Sequence, residues 1–241
     1  MRVGPNDYSL DKAKAILAGY AFARWPAQRA KERYERYVKS PSSFEFSVWA
    51  YRSYDCIAPR HPTMFDSLDV FVIDGLNARL NARTVGALMT SGPEAILSLA
   101  DSPQDTVFWN LPRQDLADEA MVQERSAAYP LVKAWEILMR TPGIDVAVTH
   151  KFLHHKRPRL CPLLDGLTIH SLGRDSWVKI YDDVNDGRED FEHLETWFAG
   201  QAASRGGVEL SRIRIHDILL WCSARGHSEA ARSEGADLLG W

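Results

Sequence analysis

The residues best suited to chemistry cluster between Trp135 and His170. A Pro142-Gly143-Ile144 turn is followed by His150, Lys151, His154, His155, Lys156, Arg157 and Arg159, and then by Asp165 ahead of an apolar stretch. A Pro-Gly turn between two helices aims the unpaired N–H groups of the second helix at solvent, an anion site that suits a DNA phosphate. Gly143 favours this because a side chain there would block close approach of the backbone. Residues 146–164 hold the cations Lys151, Lys156, Arg157 and Arg159 and no acid. With Gly143, Ile144, His154 and His155 they form the candidate DNA-binding surface. Asp165 suits a different task. A carboxylate beside the C1′ of a nucleotide stabilises the positive charge that builds on the sugar and accepts a proton from attacking water. The same aspartate is equally explained as the N-cap of a helix, and the two roles are compatible.

A base must leave the stack before such chemistry, which calls for a wedge and an aromatic surface. Trp49, Tyr51 and Trp109 are candidates to stack on the base, and nothing in the sequence chooses among them. His154-His155 has no third ligand at metal spacing, and Cys56, Cys161 and Cys222 are scattered. No metal, disulfide framework or cofactor is therefore expected. His216 and Asp217 read as a structural pair. The formal net charge is −3, but acids concentrate in 182–195, so a positive face can exist on an acidic protein. The chain lacks an uninterrupted apolar run of the ~20 residues that a membrane span needs. Its first residues are polar, which points to a cytoplasmic protein.

These residues need helices to position them. Ser9 caps a predicted helix with Ala13, Ile16, Leu17 and Tyr20 on one face, and Pro26 opens a basic helix reaching Lys39. The aromatic stretch 44–57 is the one place where extended structure is plausible. Further helices are predicted over 65–80, 82–89, from Gly92-Pro93 to Ala100, over 119–140 with Pro130 as a start or kink, and over 146–155. Later ones fall at 163–172, 174–184, 189–203 and 209–224. Strand signals are too few for a sheet, so the class is all-α. The chain divides into an N-terminal basic and aromatic extension (1–62), a core (63–175) with the hairpin unit at about 127–156, and C-terminal helices (176–241), together one helical domain.

Pro142-Gly143-Ile144, Asp165-Gly166-Leu167-Thr168 and Leu76-Asn77-Ala78-Arg79 together resemble the helix-hairpin-helix superfamily of DNA glycosylases. In that superfamily a Leu-Pro-Gly-hydrophobic-Gly hairpin precedes, at the separation seen here, a catalytic Asp that opens the next helix. The resemblance covers roughly 65–175. It implies two helical subdomains flanking a cleft, a double-stranded DNA partner, and hydrolysis of an N-glycosidic bond with Asp165 as the catalytic residue. By the same resemblance, Asn77, Arg79 and Asn81 are candidates for the wedge or for polar contacts in the base pocket. Two departures bear on mechanism. Asp145 stands where the second hairpin glycine is expected, and Val146 and Ala147 stand where bifunctional members carry a lysine nucleophile. The expectation is a monofunctional glycosylase. The alternatives are a non-catalytic DNA-binding module, regulatory or defensive, and a helical scaffold. The stretch from Lys151 to Asp165 is also similar to a family of uncharacterised bacterial proteins carrying Lys-Arg-Pro-x-Leu-x-Pro-x-x-Asp.

Overall fold

A computed structural model describes residues 1–23, 50–76, 78 and 80–241. The predicted basic helix at 26–39, Trp49 and the remainder of 44–49, and the wedge candidates Asn77 and Arg79 lie outside the described residues. Among the described residues the only strands are β1 (Arg2–Val3) and β2 (Asn6–Asp7), a two-residue antiparallel ladder. The rest is helical: α1 (Leu10–Phe22), α2 (Ser67–Gly75), α3 (Ala82–Leu99), α4 (Asp118–Met121), α5 (Tyr129–Met139), α6 (Val146–Lys156), α7 (Gly166–Leu172), α8 (Ser176–Asp186), α9 (Arg188–Ser204), α10 (Arg212–Ala224) and α11 (Ser228–Leu239). The protein is all-α, as expected. No helix among the described residues is long and apolar enough to cross a membrane.

Capping chemistry sets most helix starts. Ser9, Asp66, Asn81, Asp145, Asp165 and Ser211 each accept a backbone N–H of the first turn, leaving fewer orphan donors. Two helices differ from their predicted form. Gly92-Pro93 does not divide α3: an added Cβ at Gly92 would stand 2.7 Å from the Phe65 ring, so glycine there admits close packing, and the helix runs on past Pro93. The segment predicted as one helix over 119–140 is instead a short α4, turns, and α5, with Pro130 in the first turn, where its missing N–H costs nothing. The described part of 44–57 is a π-helical turn over Tyr51–Asp55, not extended chain.

One hydrophobic cluster runs from Val3 through α1, α3, α5 and α6 to α10 and Ala231 of α11. Residues 1–23 are not peripheral to it. Helix α1 packs along α11 and also touches α9 and α10. The α1–α11 crossing is backbone-close: an added Cβ at Gly235 would meet the Ala15 carbonyl oxygen at 1.7 Å, and one at Gly19 the Ala231 oxygen at 2.0 Å.

Candidate nucleic-acid interface

The hairpin forms as predicted between α5 and α6. Ile144 N–H donates to Thr141 O (3.2 Å), and Gly143 sits at φ +101°, a conformation that L side chains avoid. Gly143 is exposed, while Ile144 is buried in the core. The N-terminus of α3 docks on this turn. Thr84 Oγ1 donates to Gly143 O (2.9 Å), and Asn81 Oδ1 accepts Thr84 N–H (3.0 Å). The Arg83 side chain lies over Gly143, its Cγ 3.1 Å from where a Cβ would stand. The structure thus brings Asn81 to the hairpin and adds Arg83, an exposed cation that sequence reasoning missed. Its signal was its position two residues past a cap, at the positive end of a helix.

Asp145 caps α6: its Oδ1 accepts Val148 N–H (2.8 Å). A carboxylate of the protein itself therefore occupies part of the N-terminal site at which an anion was expected.

The cations and histidines of α6 are not a free surface. Lys151, His154, His155, Lys156 and Arg157 are all buried. Lys156 Nζ is held by Asp69 Oδ2 (2.5 Å), His61 O (3.0 Å) and Met64 O (2.9 Å). His155 Nε2 faces Asp69 Oδ1 (3.2 Å). Burial alone would raise the Asp69 pKa, but the bonds from His155 and Lys156 hold it below the ordinary carboxylate value. Arg157 donates to Leu99 O, Ser102 O and Pro103 O (3.4, 3.3 and 2.6 Å), tying down carbonyls at the C-terminal end of α3 as a cation there should. Of the basic residues expected to meet DNA, Arg159 alone is exposed, with its guanidinium over Trp109 at 5.4 Å. The alternation of apolar and charged residues in 151–160 carried no sign of this, because the partners lie on α2, α3 and the loop between 57 and 66.

Two histidines shape the path to Asp165. His154 Nδ1 bonds Cys161 O (2.7 Å), and His150 Nδ1 bonds Pro162 O (2.9 Å). Residues one helical turn apart thus pin successive carbonyls, and the chain after Leu160 runs back along α6. A carbonyl only accepts, so Nδ1 carries the proton in both rings. Trp135 Nε1–H then donates to His150 Nε2 (3.2 Å). Burial lowers the His150 pKa to about 4 and that of His154 to about 3, leaving both neutral at pH 7.

Asp165 ends this return. Its Oδ1 accepts Leu167 N–H and Thr168 N–H (both 2.9 Å), and Thr168 Oγ1 accepts the Asp165 N–H (2.8 Å), a complete capping box. Oδ2 takes no hydrogen bond from the described residues, and Arg225 Nη2 stands 3.7 Å away. The charge of Asp165 reaches Lys151. Burial lowers the Lys151 pKa, and Asp165 and Asp145 oppose that change.

Behind Asp165 lies a buried network absent from the sequence reading. Arg214 donates to Asp55 Oδ1 and Oδ2 (2.7 and 3.0 Å), to Tyr20 OH (2.7 Å) and to Asp217 Oδ2. Burial raises the Asp217 pKa to about 7 despite Arg214. His216 and Asp217 do not pair with each other: His216 Nε2 meets Asp183 (3.0 Å), since adjacent residues on a helix diverge. Tyr51 exchanges hydrogen bonds with Val208 in the core, and Trp109 is buried beneath Arg159 and Arg212. Neither stacks at the hairpin. No cluster of metal-ligand residues occurs among the described residues.

Fold and site together define an all-helical protein in which a glycine hairpin, a capped helix start and a mostly buried capping aspartate are built around one buried helix. The chain belongs to the DUF6308 family, a family of unknown function, which matches residues 30–224. No curated protein and no solved structure matches it.

Proposed function

We propose that this protein is a DNA-binding enzyme of the base-excision type, a monofunctional DNA glycosylase with two helical subdomains flanking the cleft that receives DNA. The reading rests on Asp165. Its carboxylate is held rigid by the capping box through Oδ1 while Oδ2 makes no hydrogen bond among the described residues and faces the Arg225 guanidinium at 3.7 Å, and the segment bearing it folds back along the helix that follows the hairpin. A fixed carboxylate with one oxygen outside the cap's hydrogen bonds suits an oxocarbenium-like transition state, because no reorganisation is needed when the charge appears. Gly143, Asn81 and Arg83 supply the phosphate contacts. Lys151 is buried, in keeping with hydrolysis rather than lyase chemistry.

Asp165→Asn tests this directly. Asparagine caps a helix as well as aspartate, so the fold and DNA affinity should persist while base release falls by at least about a hundredfold, the lower end of acid–base contributions. An unchanged rate of base release overturns the catalytic role. Asp145 in the α6 cap and the burial of Lys151, Lys156 and Arg157 favour a second reading, a non-catalytic helix-hairpin-helix module. It is adopted if no base is released from a panel of damaged and modified duplexes while binding still weakens steeply with salt.

A further inference from the structure

A cleft of about 640 Å³ opens at the end of α6 away from the hairpin, between the Tyr54–Pro59 segment, α9 and the start of α10. That size lies within the range of small-molecule sites. Eight residues separate its His154 from Val146, so it stands about 12 Å along the helix from the hairpin, and Asp165 does not line it. It is independent of the reading given for Asp165.

Three features of its wall select a ligand. The first is His154, which is 2% exposed. Its Nδ1–H is used by the Cys161 carbonyl, so Nε2 bears a lone pair. Nε2 has no partner among the described residues, yet it is not one of their sealed, unsatisfied buried atoms. His154 lines the cleft, so this lone pair is the acceptor the ring can offer a ligand there. Burial keeps this ring neutral at pH 7, so it accepts and does not repel a donor N–H. The second is Arg159, exposed on the rim, whose side chain has no hydrogen bond or ion pair among the described residues. It is held over the Trp109 ring, and Ser211 Oγ–H anchors the preceding carbonyl of Pro158 (2.6 Å). The third is the division of the remaining surface. Ile57, Pro59, Pro158 and Leu210 offer apolar contact. The carboxylates are satisfied or solvated: Asp55 is neutralised by Arg214, Glu195 is bonded by Arg212, and Glu209 is exposed.

A matching ligand has a flat, partly apolar body, a ring or amino N–H for His154, and an anionic arm that reaches Arg159 and avoids the glutamates. We propose that this cleft binds a nucleoside monophosphate, its base edge donating to His154 Nε2 and its phosphate paired with Arg159. Arginine suits that pairing because its planar fork matches phosphate oxygens.

The test uses the full chain and isothermal titration with the four common deoxynucleoside 5′-monophosphates, their parent nucleosides and inorganic phosphate. At least one monophosphate should bind, and at least tenfold more tightly than either its nucleoside or phosphate alone. Arg159→Ala changes an exposed side chain and should abolish the advantage over the nucleoside. In His154→Asn the amide N–H replaces Nδ1–H toward Cys161 and the lone pair is lost, so affinity for monophosphate and nucleoside should fall together by about tenfold. No binding of any monophosphate at millimolar concentration overturns the proposal. So does binding that Arg159→Ala leaves unchanged, whether or not His154→Asn folds.

Discussion

In the proposed reaction Asp165 divides two tasks between its two oxygens, and the division can be measured. Asp165→Ala removes both, so it should cost about 1 kcal/mol of stability for the lost cap as well as activity. Asp165→Asn should keep the stability and lose only the activity; urea melts of both variants separate the contributions. Lys156 makes the opposite case, a cation with no freedom. It is fully enclosed with three acceptors around Nζ. Lys156→Met leaves the buried Asp69 carboxylate without its cation, held only by His155 and the Asp66 N–H, and breaking a buried pair in this way typically costs about 3–5 kcal/mol. We expect the unfolding midpoint to drop accordingly. A role for Lys156 on DNA would instead leave stability intact and reduce affinity.

At the scale of elements, α6 is organised by histidines facing inward. His150 and His154 are neutral in the folded state because burial depresses both pKa values, to about 4 and about 3 from the ordinary 6.5. The unfolded chain therefore binds protons first as pH falls. Stability from these two groups is complete above pH 6.5 and is lost progressively as pH drops toward 4. A tenfold difference in proton affinity between the two states is worth about 1.4 kcal/mol, so acid should release the 160–165 segment well before carboxylates titrate. Denaturant midpoints measured from pH 6.5 to pH 5 should fall, and His154→Asn should flatten that slope; an unchanged slope would mean that the ring is not held neutral. The hairpin beside this helix was legible from Pro142-Gly143 because turn chemistry is local. The destination of the basic residues was not, since the Lys156 and Arg157 acceptors lie on elements distant in sequence.

At the scale of the molecule, α1 and α11 are joined through glycines at a backbone-close crossing. Gly235→Val should destabilise by at least about 1–3 kcal/mol, the usual cost of overpacking, because the steric contact is with the Ala15 backbone rather than a yielding side chain. Thermal melting reads this, and a wild-type midpoint would contradict the crossing. Asp217 adds a second pH dependence of opposite sign. Its folded pKa is raised from 3.8 to about 7 by burial, so its contribution is complete below pH 3.8 and is lost as pH rises through 7. Asp217→Asn should remove that pH dependence, so the stability gap to the wild type narrows as pH rises through 7.

The amino-acid sequence by itself determined whatever depends on neighbours along the chain. Ser9, Asn81, Asp145 and Asp165 are followed by helices because a short polar side chain satisfies orphan N–H groups a few residues away. Glycine at 143 permits the turn, and apolar periodicity marks the helical class. The tertiary structure decided which charges meet solvent. A run of Lys, Arg and His reads the same whether it faces water or the carbonyls and carboxylates of other helices; only the packing of α2, α3 and the 160–165 return around α6 distinguishes them. The same packing moved the candidate DNA surface from the cations after Lys151 to Gly143, Asn81 and Arg83. It left Asp165 with one oxygen in the helix cap and the other facing Arg225, a condition no spacing along the chain expresses.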